Sequence, residues 1–178
     1  MFDVLRQFAL LLLLRVGPQD MPVGWRMTTW AALWFVLCGL ILGFVNQDES
    51  ADWINTAGQG VLDNVLDMAL IGAYSGSWVF FRQRSARLAQ LLTALLGALG
   101  MLGLVLALMW LVVPMPTTLP DTMGVSEWLM MGLFIWNLVV VGQIYRRTLE
   151  VGVGLGIFIA LGYYIISALV VLLANSLF

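Results

Sequence analysis

The sequence of 178 residues is 62% hydrophobic and only 10% charged, and its formal net charge is −2. Soluble domains are nearer to half apolar and a quarter charged, so this composition excludes an ordinary soluble protein. The small net charge gives no reason to expect nucleic acid or another strongly charged partner. The chain is therefore predicted to be an integral membrane protein that forms one compact helical unit in the lipid bilayer.

Several kinds of chemistry are excluded by the residues that the chain lacks. It contains no histidine, which excludes histidine-based acid-base and metal chemistry. Its single cysteine, Cys38, cannot form an intrachain disulfide and is predicted to be a small buried residue. No nucleophile and base of a known catalytic pair occur together, and no glutamate lies deep in an apolar run. We therefore predict no enzymatic activity, no catalytic residue and no cofactor.

The first apolar run, Phe8 to Leu14, is too short to cross about 30 Å of hydrocarbon, which takes about 20 helical residues. Arg6 and Arg15 flank this run and suit the lipid headgroups, so the pattern predicts an interfacial helix that lies along the inner surface. Pro18 and Pro22 lack the amide hydrogen that a helix interior needs. We expect them to end the helix and turn the chain.

The sequence predicts two parts: residues 1–27 form the cytoplasmic interfacial helix and turn, and residues 28–178 form an all-α bundle of five transmembrane helices. The second of these helices is expected to start after Thr56, because Thr56 and Gln59 have the spacing of a capping box. The five spans are predicted at about 28–45, 57–81, 88–113, 125–145 and 150–177.

The arginines predict the orientation of the bundle. Lysine is absent, and the eight arginines fall as three before the first span, three between the second and third, and two between the fourth and fifth. Short cytoplasmic loops are enriched in positive charge, so the amino terminus is predicted to be cytoplasmic and the carboxyl terminus periplasmic. The acidic loops that contain Asp48, Glu49, Asp52 and Asp121 are then outside. The predicted cytoplasmic basic surface consists of Arg82, Arg84, Arg87, Arg146 and Arg147, with an Arg146–Glu150 pair if that segment is helical.

Three pairs of glycines have the small-xxx-small spacing that lets helix backbones approach closely in lipid. Gly97, Gly100 and Gly103 give the third span a similarly smooth surface. We expect these residues to pack helices within one bundle, and dimerisation is the alternative. The pairs are Gly39 with Gly43, Gly72 with Gly76, and Gly152 with Gly156.

The second predicted span carries Asp63, Asn64 and Asp67. A charged residue in a spanning helix costs roughly 2.5 to 3.5 kcal/mol on insertion scales, so such residues persist where protein, water or a cation solvates them. At 3.6 residues per turn Asp63, Asp67 and Tyr74 lie near one face, and Asn64 points about 100° away. Together with Asn137 in the fourth span, these residues form the candidate intramembrane polar site.

Two structural explanations compete with a functional one for these acids. The positive end of the helix dipole favours acids, but it acts mainly within the first turn and accounts weakly for Asp63 and hardly for Asp67. A splayed and hydrated outer end of the bundle would also solvate both. The functional explanation is that no basic residue is predicted on this side, which leaves protonation, neutral hydrogen bonds, water or an external cation. Two carboxylates with Asn64 are too few ligands for us to predict a metal site.

Two phrases of the sequence resemble a known group of proteins. Residues Arg15-Val-Gly-Pro-Gln-Asp20, before the first span, and Trp136-Asn-Leu-Val-Val-Val-Gly-Gln-Ile-Tyr-Arg-Arg-Thr-Leu-Glu150 resemble small inner-membrane proteins of proteobacteria. The five-span layout is similar to that of the Ypt-interacting-protein (Yip) superfamily, in which a Gly-Pro precedes the membrane domain as Gly17-Pro18 does here. The resemblance implies a bacterial inner-membrane location and a non-enzymatic bundle that acts through partners.

Two functions remain as hypotheses. The first is an accessory, scaffold or assembly protein that packs its helices against another membrane protein, a second copy of itself or lipid. The alternative is a small transporter or a proton or cation pathway in which Asp63 and Asp67 bind the ion and Tyr74 and Asn137 line the route.

Overall fold

The computed structural model describes residues 2–22, 24–45, 53–113 and 124–177, and within these ranges the chain is helical without β-strands. Short 3-10 turns at Pro18–Asp20 and Ser85–Arg87 join some of the helices. The fold class is therefore all-α, as the sequence predicts. The helices are α1 (Phe2–Leu12), α2 (Trp25–Val45), α3 (Trp53–Phe81), α4 (Leu88–Val112), α5 (Val125–Leu149) and α6 (Val153–Leu177).

Four of these helices, α2, α4, α5 and α6, are long and apolar enough to cross a membrane. They also expose large apolar side chains, such as Leu33, Phe158 and Leu172, that lipid would cover. These features indicate a membrane-embedded protein. Helix α3 is long enough but is not among the four, because its two carboxylates, its two asparagines and its glycines lower its hydropathy. The fifth span stays a prediction.

The helix bounds differ from the predicted ones at two places that matter for function. Helix α3 begins at Trp53, so Thr56 lies inside the helix and is not its N-cap. Helix α5 continues through both arginines to Leu149, four residues past the predicted end. Glu150 then adopts the left-handed conformation (φ 54°) and ends α5, so the last helix starts at Val153. The acidic residues Asp48, Glu49, Asp52 and Asp121 lie outside the described residues.

The segments that carry arginine meet at one end of the bundle, which we call the arginine end; the opposite end is the far end. The carboxylate of Glu150 accepts hydrogen bonds from Arg84 at 3.2 and 2.5 Å, and Arg87 lies 2.8 Å from the same group. These contacts replace the expected Arg146–Glu150 pair, because Glu150 leaves the helix at the left-handed residue. Arg146 instead donates to Gln143 at 3.1 Å.

Helix α1 packs against α4 rather than standing apart from the bundle. Phe8 and Leu11 are buried, and the Phe8 ring occupies the space that a side chain at Gly97 would fill. Gly97 is nine residues into α4, about 14 Å along the helix at 1.5 Å per residue. The position of α1 at the membrane interface stays a prediction. The contact between Phe8 and Gly97 favours a helix that lies partly below the level of the lipid headgroups.

Tight packing is concentrated at the arginine end. The buried residues of α5 all lie between Val140 and Leu149, and those of α3 are Ile71, Ser75 and Val79 in its second half. Helix α4 is almost completely buried from Leu91 to Ala98. A Cβ atom added at Gly100 would lie 3.2 Å from the Cα of Phe35, so α2 and α4 are in close contact there. The far halves of α3 and α5 are mostly exposed, whereas that of α4 is mostly half-buried, with Leu102 and Ala107 buried. The bundle is therefore closed at the arginine end and loosely packed at the far end.

The predicted glycine pairs divide between close packing and open space. Gly156 lets α6 approach α5, because an added Cβ would lie 2.5 Å from the Gly142 carbonyl oxygen, and Gly39 makes room for the Asn64 side chain. The other glycines of the three pairs have nothing within 4 Å of an added Cβ, which leaves their helix surfaces free. They are Gly43, Gly72, Gly76 and Gly152.

Candidate functional site

A cavity of about 400 Å³ lies between α2, α3, α4, α5 and α6, on the far-end side of the tightly packed region. Each of these five helices contributes to its wall, and most of the wall is apolar, with Phe35, Leu99 and Phe134 as large members. A pocket with apolar walls and a few polar groups is the common form of a ligand site. The polar side chains that line it are Asn64, Asp67, Asn137, Tyr163, Tyr164 and Ser167.

Asp67 is the only carboxylate that the described part of the chain places on the cavity wall. Its Oδ1 accepts a hydrogen bond of 2.5 Å from the Tyr163 hydroxyl, and the Ser167 hydroxyl lines the same cavity. No arginine neutralises it: the ion pairs that the described residues form join Arg84 and Arg87 to Glu150 at the arginine end. The carboxylate is therefore held by a neutral hydroxyl and retains an oxygen for a ligand.

Two asparagines on the wall are fixed by hydrogen bonds. Tyr164 donates to Oδ1 of Asn137 at 2.7 Å, which joins α6 to α5. Asn64 donates to the Gly60 carbonyl oxygen at 2.6 Å and fits against Gly39. The polar groups of the cavity are thus positioned by the helices rather than left free to rotate.

Aromatic rings close the cavity toward the arginine end. The Tyr74 ring lies 6.0 Å from that of Tyr163 and 6.3 Å from that of Tyr145. The Tyr74 hydroxyl reaches the Ile159 carbonyl oxygen at 2.8 Å, and the absence of a side chain at Gly162 allows this approach. Tyr145 is held in turn by a 2.8 Å hydrogen bond with Ser75, so this floor is a packed and hydrogen-bonded plug.

The structure places the candidate polar residues in different environments. It brings Asn64, Asp67 and Asn137 together on the cavity wall. Tyr74 lies in the floor beneath them, and Asp63 is exposed on α3 and does not line the cavity. Asp63 and Asp67 are four residues apart, but the helix is rotated so that only Asp67 points inward. The two acids therefore have different environments.

Sequence reasoning missed the contribution of α6 to the site. Tyr163, Tyr164 and Ser167 all face the cavity, and Tyr163 and Ser167 are four residues apart on an otherwise apolar helix. A hydroxyl pair at this spacing in a span marks one polar face, and that signal was available in the sequence. Cys38 was expected to be buried, which it is, but it also borders the cavity.

A bound metal ion is not indicated by the arrangement. Within the described ranges, no three residues of the types His, Cys, Asp or Glu lie close enough together to hold one. A hard divalent cation needs about six to eight oxygen ligands. The cavity instead offers one carboxylate, oriented hydroxyls and amides, and aromatic rings.

The fold and the cavity define a class, an all-helical membrane protein with a polar site between its helices. No profile of a known protein family matches the chain, and neither curated proteins nor solved structures show a significant similarity to it.

The hydrogen bond between Tyr163 and Asp67 predicts a specific energetic coupling between α6 and α3. We expect the Tyr163→Phe and Asp67→Asn changes to be non-additive by about 0.5 to 2 kcal/mol, because Phe removes the donor of this bond and the neutral amide of Asn accepts a weaker bond than the carboxylate does. The measurement is a double-mutant cycle on the free energy of unfolding in detergent. The matched cycle of Tyr164→Phe with Asp67→Asn should be closer to additive, since Tyr164 bonds to Asn137. Equal coupling in both cycles would contradict the assignment.

Proposed function

We propose that this protein is a small membrane transporter or cation pathway whose ion-binding residue is Asp67. The observation that carries the proposal is the carboxylate of Asp67 in a cavity between five helices, without a basic partner among the described residues. A carboxylate in a membrane is stabilised when a cation or proton neutralises it. The site therefore favours a cation over a neutral or anionic solute.

Helix α3 is the fifth span in this proposal. Its 29 residues extend about 44 Å at 1.5 Å per residue, which exceeds the hydrocarbon thickness of about 30 Å. If Phe81, just before Arg82, marks one boundary, about 20 residues back places the other near Leu62. Asp63 then lies at the membrane surface in water, and Asp67 lies one turn deeper. This placement explains why an exposed Asp63 and a cavity-lining Asp67 occur on one helix.

The positive-inside rule supports a cytoplasmic arginine end, with the amino terminus inside and the carboxyl terminus outside. The proposed location is a bacterial inner membrane, which the resemblance described in the sequence analysis implies. In this orientation the loosely packed halves of the helices face outward, so a cation would reach Asp67 from the far end. Passage to the other side requires the rings of Tyr74, Tyr145 and Tyr163 to separate. Transport thus predicts a second conformation in which the plug opens.

The test is ion flux in proteoliposomes, measured for protons, sodium and tetramethylammonium. We expect the wild-type protein to conduct at least one of these cations, and Asp67→Asn to reduce that flux by at least about tenfold because the neutral side chain cannot balance the charge. Asp63→Asn is the matched control and should change flux by less than about twofold, since Asp63 is exposed and outside the cavity. Absence of Asp67-dependent flux for all three cations would refute transport.

A second candidate function, the scaffold or accessory role, is favoured by one surface of α3. Gly72 and Gly76 have no neighbour within 4 Å of an added Cβ, and Ala69, Ala73 and Ser77 beside them are exposed. This smooth surface is suited to close packing of another helix, from a membrane protein or from a second copy of the chain. The likeness to the Yip superfamily and the absence of enzymatic activity remain predictions that fit this role.

The scaffold role predicts a stable complex. A tagged protein isolated in mild detergent should carry a stoichiometric partner or form a dimer, and Gly76→Leu should remove it because the new side chain holds the backbones apart. Gly43→Leu is the matched control, since it also adds a side chain where no neighbour stands within 4 Å but on a different helix. A monomeric wild-type protein from native membranes would contradict the scaffold role.

A further inference from the structure

The residues of the cavity wall indicate which kind of cation the site would bind. This inference rests on the proposed function of Asp67. We propose that the cavity binds a small organic monocation, an ammonium ion with apolar substituents, rather than a hydrated metal ion. Four properties of the cavity favour such a ligand: the charge of its wall, its aromatic rings, its few free oxygen atoms and its size.

The charge of the wall matches a single positive charge. Among the residues that the structure describes, Asp67 is the only acidic one that lines the cavity, and no basic side chain of this set lines it. A bound monocation would therefore leave the site neutral. A divalent cation would leave one uncompensated positive charge among apolar side chains, which is costly in a medium of low dielectric constant.

Aromatic rings supply a second attraction that is specific for cations. The Tyr164 ring lies 5.6 Å from that of Phe134 and 5.1 Å from that of Tyr163, and all three rings border the cavity near Asp67. Phe35 contributes a further ring from α2. Ring faces attract ammonium groups, and the attraction is stronger where water is excluded. This combination of one carboxylate and several rings is suited to an alkylated ammonium ion.

The oxygen atoms of the site are too few for an inorganic cation. Oδ1 of Asp67 already accepts from Tyr163, and Oδ1 of Asn137 accepts from Tyr164. Asn64 donates through Nδ2 to the Gly60 carbonyl oxygen, so its Oδ1 and Oδ2 of Asp67 are among the few oxygen atoms left for a cation. A metal ion that sheds its water would find little to replace that hydration shell. An ammonium ion with apolar substituents sheds less water and gains contact with the apolar wall.

The volume also fits an organic ligand. The cavity measures about 400 Å³, whereas one water molecule occupies about 30 Å³ in the liquid. Small-molecule sites in proteins begin at about 300 Å³. Gly103 borders the cavity and has nothing within 4 Å of an added Cβ, so the space near α4 remains open to an apolar substituent.

The experiment compares benzyltrimethylammonium with neopentylbenzene, a neutral molecule of the same shape. Binding is measured by calorimetry on the protein in nanodiscs, with empty nanodiscs subtracted. We expect the cation to bind at least about tenfold more tightly than the neutral molecule, and Asp67→Asn to remove that preference. Tyr164→Leu should weaken cation binding by about two- to thirtyfold, the range of cation–π energies.

Two further variants keep the test independent of misfolding. Asp63→Asn should bind like the wild type, because Asp63 lies outside the cavity. Gly103→Leu should fill the cavity and abolish binding while the acid and the rings remain. For every variant, the unfolding temperature in the absence of ligand reports whether the bundle is intact, and Asn at position 67 can still accept the Tyr163 hydrogen bond.

The outcomes separate this inference from the proposed function. Equal binding of the neutral molecule, or unchanged cation binding in Asp67→Asn, overturns the inference. If benzyltrimethylammonium does not bind but proton or sodium flux depends on Asp67, the organic-cation class is wrong and the cation pathway stands. Binding that depends on Asp67 without flux of any cation supports the ligand class and removes transport. Neither binding nor flux refutes both.

Discussion

The position of Asp67 is the constraint on which the rest of the structure depends. An isolated carboxylate inside a membrane domain must be solvated by protein, by water or by a cation. The protein provides the hydroxyl of Tyr163 on α6, but the ion pairs of the described residues are all at the arginine end. The bundle therefore holds the acid in place without neutralising it, and this incomplete solvation is the basis of the proposed preference for a cation.

The uneven packing of the helices makes such a cavity possible. Glycines allow close contact in the arginine half, as where Gly156 meets the Gly142 carbonyl and Gly100 meets the Phe35 backbone. In the far halves, Gly43 and Gly103 have nothing within 4 Å of an added Cβ, so no such close contact forms there. In lipid, where helix association depends on packing and hydrogen bonds, a bundle that is tight at one end can tolerate a gap at the other. The plug of Tyr74, Tyr145 and Tyr163 marks the boundary between the two regions.

Much of the architecture could be predicted from the sequence because it follows from composition and charge. The helical class and most helix bounds follow from long apolar runs between polar breaks. The contacts of Arg84 and Arg87 with Glu150 bring the α3–α4 and α5–α6 connections to the same end of the bundle, as the arginine pattern predicts. The left-handed turn at Glu150 was not predicted, because residue spacing along one helix does not reveal where such a turn falls.

The site was less predictable because it depends on helix rotation and on partners far away in the sequence. Periodicity places Asp63 and Asp67 near one face, yet only Asp67 lines the cavity, since 3.6-residue spacing does not specify where a neighbouring helix lies. Tyr163 meets Asp67 from 96 residues away. Likewise, the spacing of Gly72 and Gly76 matches that of Gly152 and Gly156, but only Gly156 contacts another helix closely.

The accessibility of Ser167 tests the central claim, a cavity at Asp67 that is open from the far end and closed from the arginine end. The measurement uses Ser167→Cys in a Cys38→Ser background and a membrane-impermeant thiol reagent added to either side of sealed vesicles. Ala160→Cys, buried at the arginine half of the same helix, is the control that should not react. The account predicts labelling of position 167 from the far side alone. No labelling from either side, or labelling from the arginine side alone, would contradict it.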